Sequence, residues 1–304
     1  MALVINARSG SNDADPDSIA ERLTQGGLDL GSVTVADDPL HVAGLVRRAA
    51  ETADIVAIGG GDGTISGALP VFMETQRTLG VLPFGTANDL ARSLGIPLDP
   101  LAAADVLCTG QARRIDLGEV NGRPFCNAVS MGFSAEVAGN HDPRRKKWIG
   151  ALEYPLLWVK AARAFEPFTV TLGHDGIETR LDSVFMLTLM NGRYHGRGMA
   201  VDAAARIDDG LLKIYCIEMV DTWKLLMIFL SLQRGRLPRE RYTRLFRAQS
   251  AEISGGRPLP LDVDGDIAGE SPARIRVLPA AISVMVPDPA YPGGPTVEGV
   301  PARG

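Results

Sequence analysis

Apolar runs alternate with helix-like patterns over the first 110 residues of the chain. The runs that predict strands are Leu3–Ile5, Val33–Val35, Ile55–Ile58 and Leu79–Leu82. The segments that predict helices are Asp17–Gln25, Leu40–Ala50, the residues after the glycines at 59–63, and Asn88–Leu94. Because strands covered on both faces are apolar throughout, this alternation predicts a parallel, Rossmann-like sheet with helices on both sides.

The pattern changes after about residue 115, where strand-like runs become frequent and turn signals separate them. The predicted strands are Phe125–Val129, Thr169–Leu172, Val184–Met190, Leu211–Ile217, Ile275–Val277 and Ile282–Val286. Turns are indicated by HDG at 174–176, NG at 191–192 and DDG at 208–210. Two helices are expected to interrupt the strands, Ile149–Phe165 and Trp223–Leu232. This half therefore predicts a mostly antiparallel β-sandwich domain.

The chain is accordingly predicted to form an α/β nucleotide-binding domain over 1–118 and a β-sandwich domain over 119–287. The remaining tail, 288–304, is rich in Pro and Gly and is expected to run extended or to pack back on the first domain. Ligands of open parallel sheets bind at the carboxyl ends of the strands, so a nucleotide is expected there, in the cleft between the domains.

The net charge argues against a nucleic-acid-binding protein, and the hydropathy argues against a membrane-spanning one. The 304 residues carry a net charge of −5, with 8 Lys and Arg against 16 Asp and Glu in residues 1–120. An acidic chain is a poor nucleic-acid binder, and we expect no nucleic-acid partner. The sequence opens directly into a predicted strand without a signal peptide, and the apolar run Leu225–Leu232 is too short to span a bilayer. A cytoplasmic protein is expected.

The sharpest chemical signal is a glycine-rich loop that follows the strand at 55–58. Gly60, Gly61 and Gly63 let the backbone approach a phosphate chain, and Thr64 adds a hydroxyl. The amides of this loop and of the next helix N-terminus would form an anion cradle. Asp62 would repel phosphate unless Mg²⁺ lies between them or the carboxylate handles a hydroxyl. The alternative is a tight turn without a ligand, which needs fewer glycines.

Five ordered segments resemble the bacterial diacylglycerol kinase and YegS-like lipid kinases. They are GGGDGT at 59–64, LPFGTANDLARSLGIP at 82–97, RRIDLGEVNGRPFCNAVSMGF at 113–133, NGRYHGRGMAVDAAARIDDGLL at 191–212 and LDVDGD at 261–266. The first is shared with NAD kinases and sphingosine kinases, whereas the others resemble the lipid-kinase branch. The resemblance covers nearly the whole chain and implies an ATP-dependent, Mg²⁺-requiring lipid kinase.

The resemblance also places ATP contacts on individual residues. They are Asn6, Ser9 and Gly10 of the opening NARSG, residues Gly61 to Gly67 of the glycine loop, and Thr86 of GTAND. Asn88 is a further contact, unless it and Asp89 cap the next helix instead. The sequence departs from the family at Ala7 in place of proline, at Ser66-Gly67 in place of Asn-Glu, and at Ala36, where a threonine is expected, with Thr34 nearby.

The same resemblance assigns the reaction and a structural metal. The segment Asp264-Gly265-Asp266 is similar to the family's DGE motif, so Asp266 inherits the role of proton acceptor, with Asp264 as its rival. Read without the other motifs, this segment is an ordinary turn. The segment ARIDDGLL resembles a structural Mg²⁺ site with ligands from the Asp209 carboxylate and the carbonyls of Arg206 and Leu211; the alternative is an Asp-Gly turn.

Two basic clusters are candidates for contact with an anionic membrane. RRKKW at 144–148 and RGRLPRERYTRLFR at 234–247 interleave cations with aromatic residues, which suits transient peripheral binding, although a solvated charged face is the alternative. Diacylglycerol leads as the lipid substrate. An NAD kinase, or a catalytically weak nucleotide or lipid sensor, remains an alternative function, and a homodimer is compatible with the sequence.

Overall fold

The computed structural model describes residues 1–9, 15–135, 161–196, 198–202, 204–234, 238, 241–255 and 257–288. The chain divides into two compact units. The first contains Met1–Leu117 together with the chain from Leu278 onward, and the second contains Gly118–Val277. The predicted Gly10 contact, the 144–148 cluster and most of the predicted helix 149–165 lie outside the described residues, and residues 161–164 are helical.

The first unit is built on a parallel sheet. Its strands are β1 (Ala2–Asn6), β2 (Ser32–Ala36), β3 (Ile55–Gly60) and β4 (Thr78–Pro83), and they lie side by side in the order β2-β1-β3-β4. The last strand in the described part of the chain, β17 (Ala273–Val286), pairs in parallel with β4. This order places the topological switch point between β1 and β3, where ligands of open α/β sheets bind.

Five helices connect or flank these strands: α1 (Pro16–Gln25), α2 (Val42–Ala50), α3 (Asp62–Thr75), α4 (Asp89–Leu94) and α5 (Pro100–Thr109). A short 3₁₀ turn, Pro39–His41, precedes α2. α1 and α5 begin in the same way, with an aspartate side chain that accepts a hydrogen bond from a first-turn amide and a proline directly after it. This start signal is encoded locally, because Asp is a good N-cap and Pro needs no hydrogen-bond partner in the first turn.

The second unit is mostly antiparallel. Its strands are β6 (Arg123–Phe125), β7 (Ala128–Gly132), β8 (Phe168–His174), β9 (Ile177–Met190), β10 (Tyr194–His195), β11 (Met199–Ala200), β12 (Leu212–Glu218), β13 (Thr243–Ala248), β14 (Ser250–Gly255), β15 (Pro260–Val263) and β16 (Asp266–Glu270). β5 (Gln111–Val120) leads from the first unit into the second, and β17 leads back. The helix α6 (Thr222–Gln233) packs on this unit.

Two apolar clusters form the core of the second unit. One joins five strands and includes Val129, Leu187 and Ile214 from β7, β9 and β12, with Val170 and Ile253 from β8 and β14. The other lies on the opposite face of β7, β9 and β12. There α6 contributes the side chains of Leu225, Ile228 and Leu232. A strand alternates its side chains between two faces, so the same three strands serve both clusters.

The predicted fold class, a Rossmann-like α/β domain followed by a mostly antiparallel β-sandwich domain, is confirmed. One difference concerns the end of the chain. The sequence suggests separate strands at 275–277 and 282–286 and places both in the second domain, whereas β17 is one continuous strand whose residues from Leu278 onward belong to the first unit. Its Pro279-Ala280 interruption breaks the apolar pattern without breaking the strand. No helix in the described ranges is long and apolar enough to cross a membrane.

Candidate functional site

The glycine loop joins β3 to α3 at the switch point of the first unit. β3 ends at Gly60, Gly61 is the N-cap with an extended backbone, and α3 begins at Asp62. The first amides of a helix have no partner within the helix and point toward its N-terminus, where they favour an anion. The loop therefore places its glycines at the free amides of a helix N-terminus, the arrangement on which the prediction of a phosphate cradle rests.

Three glycines allow close approach within and between loops. A Cβ atom on Gly61 would lie 3.1 Å from the Cα of Gly85, in the loop after β4. On Gly60 it would lie 2.7 Å from the side chain of Thr64. By contrast, Cβ atoms on Gly63 and Gly67 would meet nothing within 4 Å. The glycine side of α3 thus leaves open space beside residues 63 and 67, while Gly60, Gly61 and Gly85 are required by packing.

Thr64 connects the glycine loop to the segment after β1. The Asn6 side-chain amide donates a hydrogen bond to the Thr64 hydroxyl over 2.8 Å, and the Ser9 hydroxyl lies 3.2 Å from the same oxygen. Asn6 is buried, and its side-chain oxygen also accepts a hydrogen bond from the Arg8 amide. Three residues predicted to contact ATP, distant in sequence, are therefore brought together at the carboxyl ends of two adjacent strands.

Asp62 caps the helix α4, which follows the loop after β4. Its two carboxylate oxygens accept hydrogen bonds from the amides of Asp89 and Leu90, both at 3.1 Å, at the start of α4. A carboxylate at a helix N-terminus satisfies free amides and complements the helix dipole. This contact gives Asp62 a structural role at the N-terminus of α4.

The predicted residues of the GTAND segment have different surroundings. Asn88 has a left-handed backbone, and its side chain bonds the amide and the carbonyl of Gly85 at 2.9 and 2.8 Å. It thus closes its own loop, whereas the capping of α4 considered for Asn88 comes from Asp62. Thr86 is exposed, and within the described part of the chain its hydroxyl has no hydrogen-bond partner.

Ser66 and Gly67, which stand where the family has Asn-Glu, have different surroundings. The Ser66 hydroxyl is buried in α3 and has no partner among the described residues, whereas Gly67 is exposed beside open space. No carboxylate is therefore present at position 67 of α3, five residues or about one and a half turns after Asp62.

In the second unit, Asp264 and Gly265 form the tight turn between β15 and β16, and both have positive φ, at 52° and 96°. Two residues of this kind are typical of a hairpin turn. The Asp264 carboxylate accepts hydrogen bonds from three successive amides, those of Cys126, Asn127 and Ala128, at 2.8, 2.8 and 3.0 Å. Asp264 is thus held in place by the residues that lead into β7 and by the first residue of that strand.

The other aspartate of this motif is much less constrained. The Asp266 side chain is 63% exposed and lies 3.6 Å from the Arg123 guanidinium. A third carboxylate, Asp262, was missed by the sequence analysis. Burial raises its pKa to about 6, the charges of Asp264 and Asp266 add to the rise, and a 2.8 Å hydrogen bond from the Gly265 amide opposes it. The alternating spacing of aspartates at 262, 264 and 266 was the available signal.

The residues predicted to bind a structural metal ion also come together, but their oxygens surround the ammonium group of Lys213. The Lys213 ammonium nitrogen lies 2.5 and 2.6 Å from the two Asp209 carboxylate oxygens. It lies 3.1 Å from the Arg206 carbonyl oxygen and 3.0 Å from that of Leu211. All the predicted ligands therefore contact one ammonium group, and the set as it stands does not fit a metal ion at the same point.

One part of the second basic cluster is already paired. In β13, Arg244 lies 3.1 Å from Glu218, and Arg247 bonds the carboxylate of Asp202 at 2.5 Å. A different surface feature lies just before this cluster. Three large side chains of α6 are exposed, Trp223 by 69%, Met227 by 44% and Leu230 by 38%. Their spacing of four and three residues places them on one face of the helix.

Comparison with known proteins decides the family. The diacylglycerol kinase catalytic domain matches residues 1–120, and the YegS C-terminal NAD kinase beta sandwich-like domain matches 127–286. A Pseudomonas aeruginosa protein, described as a probable lipid kinase of the YegS-like type, is 32% identical over 294 residues, 94% of each chain. The chain belongs to the diacylglycerol kinase and YegS-like lipid kinase family. As a member of this family, it is an ATP-dependent phosphotransferase that acts on a lipid hydroxyl.

Other relatives of this lipid kinase are similar over most of their length. The diacylglycerol kinase of Mycobacterium tuberculosis is 31% identical over 275 residues, 88% of this chain and 87% of that one. The diacylglycerol kinase of Bacillus subtilis is 28% identical over 277 residues, 88% and 89% of the two chains. A Bacillus anthracis diacylglycerol kinase structure superposes with a TM-score of 0.73 at 20% identity, covering 95% of this lipid kinase and 97% of that chain, which shows a shared fold.

Proposed function

We propose that this lipid kinase transfers the γ-phosphoryl group of Mg-ATP to the free hydroxyl of diacylglycerol. Two relatives that align over most of both chains are named diacylglycerol kinases. That name supports, for this chain, an acceptor with one hydroxyl and two acyl chains. Such an acceptor offers the enzyme one nucleophilic oxygen.

The phosphate cradle of the first unit is the observation that carries this proposal. The N-terminus of the 14-residue helix α3 has open space at Gly63, and the Thr64 hydroxyl is fixed by Asn6 and Ser9. A triphosphate seated there would meet backbone amides, the positive end of a helix and hydroxyl donors, all placed in advance. Preorganised donors stabilise the charge of a transferring phosphoryl group, and they need no rearrangement during the reaction.

Mg²⁺ fits this site as the partner of the nucleotide. Among the described residues, no three His, Cys, Asp or Glu side chains gather into a metal site. Mg²⁺ is usually held by one or two carboxylates together with substrate phosphates, and Asp62 is the carboxylate at the cradle. When bound, the ion supplies positive charge that offsets the phosphate oxygens.

Asp266 is the proposed proton acceptor, and Asp264 is the proposed positioning residue. The oxygens of Asp264 already accept hydrogen bonds from three backbone amides. The Asp266 carboxylate is exposed, and its ion-pair partner among the described residues is Arg123, at 3.6 Å. In the reaction, the lipid oxygen forms a bond to the γ-phosphorus as the bond from that phosphorus to the β–γ bridging oxygen breaks. The hydroxyl proton passes to the carboxylate, and ADP leaves with the bridging oxygen.

The exposed face of α6 is the proposed contact with the lipid surface. Trp223, Met227 and Leu230 present an apolar face, and arginines follow in sequence from Arg234 onward. Aromatic and aliphatic side chains next to cations suit the boundary between headgroups and acyl chains of an anionic membrane. The enzyme would thereby meet a substrate that does not leave the bilayer.

The test is phosphate transfer from labelled Mg-ATP to diacylglycerol, phosphatidylglycerol, a sphingoid base, undecaprenol and NAD, in mixed anionic micelles. We expect labelled phosphatidic acid as the main product, and a different main product would replace diacylglycerol as the substrate. Asp266→Asn should abolish transfer with an unchanged Tm. Asp264→Asn should lower both the Tm and the activity, because the asparagine amide cannot accept three hydrogen bonds.

The Asp264 and Asp266 variants also decide which of the two aspartates is the proton acceptor and which is the positioning residue. If Asp264→Asn abolishes transfer at unchanged Tm while Asp266→Asn stays active, Asp264 is the base and the proposed roles are exchanged. If ATP binds but none of the five acceptors is phosphorylated, the diacylglycerol proposal is wrong, and a nucleotide-binding sensor becomes the better description.

A further inference from the structure

Lys213 has a buried polar environment that lies outside the proposed phosphate cradle. Lys213 lies in β12 between Met190 of β9 and Arg247 of β13, and its side chain is 1% exposed. An ammonium group has three N–H donors. Here it has three acceptor groups, the Asp209 carboxylate and the carbonyls of Arg206 and Leu211, at 2.5 to 3.1 Å. The donors and the acceptors therefore match in number.

The loop around Asp209 is organised by the same carboxylate. Its oxygens also accept hydrogen bonds from the Arg206 and Leu211 amides, both at 3.1 Å. The loop thus wraps round one carboxylate, and its carbonyls converge on one cation. This is how a cation-binding loop is constructed, with carboxylate and carbonyl oxygens aimed at a common point.

The charges around this point are already balanced. Asp209 pairs with Lys213 and Asp208 pairs with Arg206 at 2.9 Å. Arg247, whose charge acts on Lys213, pairs with Asp202. Three carboxylates therefore face three cations. A divalent ion added to this set would bring two uncompensated positive charges and would have to displace a buried ammonium group, both of which cost free energy.

We infer that the Lys213 ammonium group takes the place of a divalent cation in this loop, so that the second unit folds without a structural metal ion. The resemblance to the family implies a metal at Arg206, Asp209 and Leu211, and Lys213 occupies the point on which those oxygens converge. The +1 charge of the side chain balances the −1 charge of Asp209 without any ion from solution. This inference concerns folding and does not depend on the identity of the phosphorylated lipid.

The consequence is measurable as thermal stability of the full-length, nucleotide-free protein. We expect the wild-type Tm to be the same in EDTA and in millimolar MgCl₂ or CaCl₂. Lys213→Met keeps the apolar stem and removes the ammonium, so its Tm in EDTA should fall by about 5–15 °C. MgCl₂ or CaCl₂ should restore most of that loss, because the oxygens of the loop would then be free to bind an ion.

The double variant Lys213→Met/Asp209→Asn is the matched control. It lacks the carboxylate, so its Tm should not rise with either metal. Two results would overturn the inference. One is a wild-type Tm that rises with MgCl₂ or CaCl₂ by an amount that Asp209→Asn abolishes. The other is a Lys213→Met protein that is as stable as wild type in EDTA.

If Lys213→Met cannot be purified, a measurement of Mn²⁺ binding replaces the thermal-stability test. Mn²⁺ is a spectroscopic probe for divalent sites, and its binding to nucleotide-free wild type is compared with that to Asp209→Asn. Equal binding supports a loop filled by the side chain. Loss of one Mn²⁺ equivalent in Asp209→Asn would mean that the ion competes successfully with Lys213, and the inference would be wrong.

Discussion

Gly61 and Gly85 touch through their backbones: a Cβ atom added to Gly85 would lie 2.5 Å from the Cα of Gly61. The two residues belong to the loops after β3 and β4, and these loops carry the phosphate cradle and the GTAND segment. The close contact brings Asp62 within reach of the α4 amides. A glycine pair thus sets the spacing between two loops of the site.

Gly85→Ala should therefore push these loops apart. The added methyl group meets backbone rather than a flexible side chain, so we expect a loss of about 1–3 kcal/mol in the free energy of unfolding. Urea denaturation and the KM for ATP are the measurements. Gly44→Ala is the control: Gly44 lies inside α2 with nothing near its Cβ position, so alanine there should stabilise by about 0.5–1 kcal/mol. Similar effects of the two substitutions would contradict the packing argument.

Thr64→Val should weaken ATP binding by removing the hydroxyl shared by Asn6 and Ser9. The buried Asn6 amide would lose its acceptor, which should lower the Tm. A charged phosphate would also lose the Thr64 hydroxyl as a donor, and a hydrogen bond to a charged group is worth about 1.5–3 kcal/mol, so the KM for ATP should rise about tenfold or more. Thr64→Ser keeps the hydroxyl and should stay close to wild type. An unchanged KM in Thr64→Val would remove this hydroxyl from the nucleotide site.

Asp262 should make stability depend on pH in the sense opposite to most carboxylates. Its pKa is raised to about 6 by burial, so the folded state holds the proton more tightly than the unfolded state. The contribution of Asp262 to stability therefore falls as pH rises from about 4 to about 6 and stays low above that range. Asp262→Asn, which carries no charge, should raise the Tm at pH 8 and change it little at pH 4.

The control for this titration is Asp29→Asn, at an exposed position in the loop before β2. Its Tm difference from wild type should be small and should not follow the same pH window. A Tm difference for Asp262→Asn that is the same at pH 4 and pH 8 would show that the buried charge is not its cause.

Trp223→Ser should weaken binding to vesicles of phosphatidylglycerol mixed with diacylglycerol. The Trp side chain is 69% exposed, and its loss removes the largest apolar surface of the α6 face. Sedimentation with vesicles should show a drop in affinity of about tenfold or more. Ile177→Ser, at an exposed residue of β9, is the comparison. An equal drop in both variants would argue against α6 as the contact.

Much of the first unit was predictable because its signals are local. The apolar strands, the proline and aspartate helix starts and the glycine loop all lie within a few residues of the feature that they encode. The convergence of Asn6, Ser9 and Thr64 also followed from topology, since the carboxyl ends of adjacent parallel strands lie together. The family resemblance predicts ATP contacts for all three residues, and in the structure the Asn6 amide and the Ser9 hydroxyl meet at the Thr64 hydroxyl.

The remaining features depend on contacts between distant segments. Asp62 caps a helix that begins 27 residues later, and no spacing rule indicates that partner. Lys213 is one cation in the apolar strand LKIYCIE, and only the fold brings its nitrogen to the oxygens of the preceding turn. The raised pKa of Asp262 likewise depends on burial by neighbouring strands. Sequence patterns report periodicity and local chemistry, whereas these roles require the tertiary structure.

The course of β17 bears on the order in which the protein is completed during synthesis. Ser283 and Val284 pair with Thr78 and Leu79, so a strand of the first sheet is supplied about 200 residues after its neighbour. A ribosome that has released β1 to β4 has yet to make this strand, and the intervening chain must emerge first. The nucleotide-binding unit at the start of the chain is thus among the last parts to be finished.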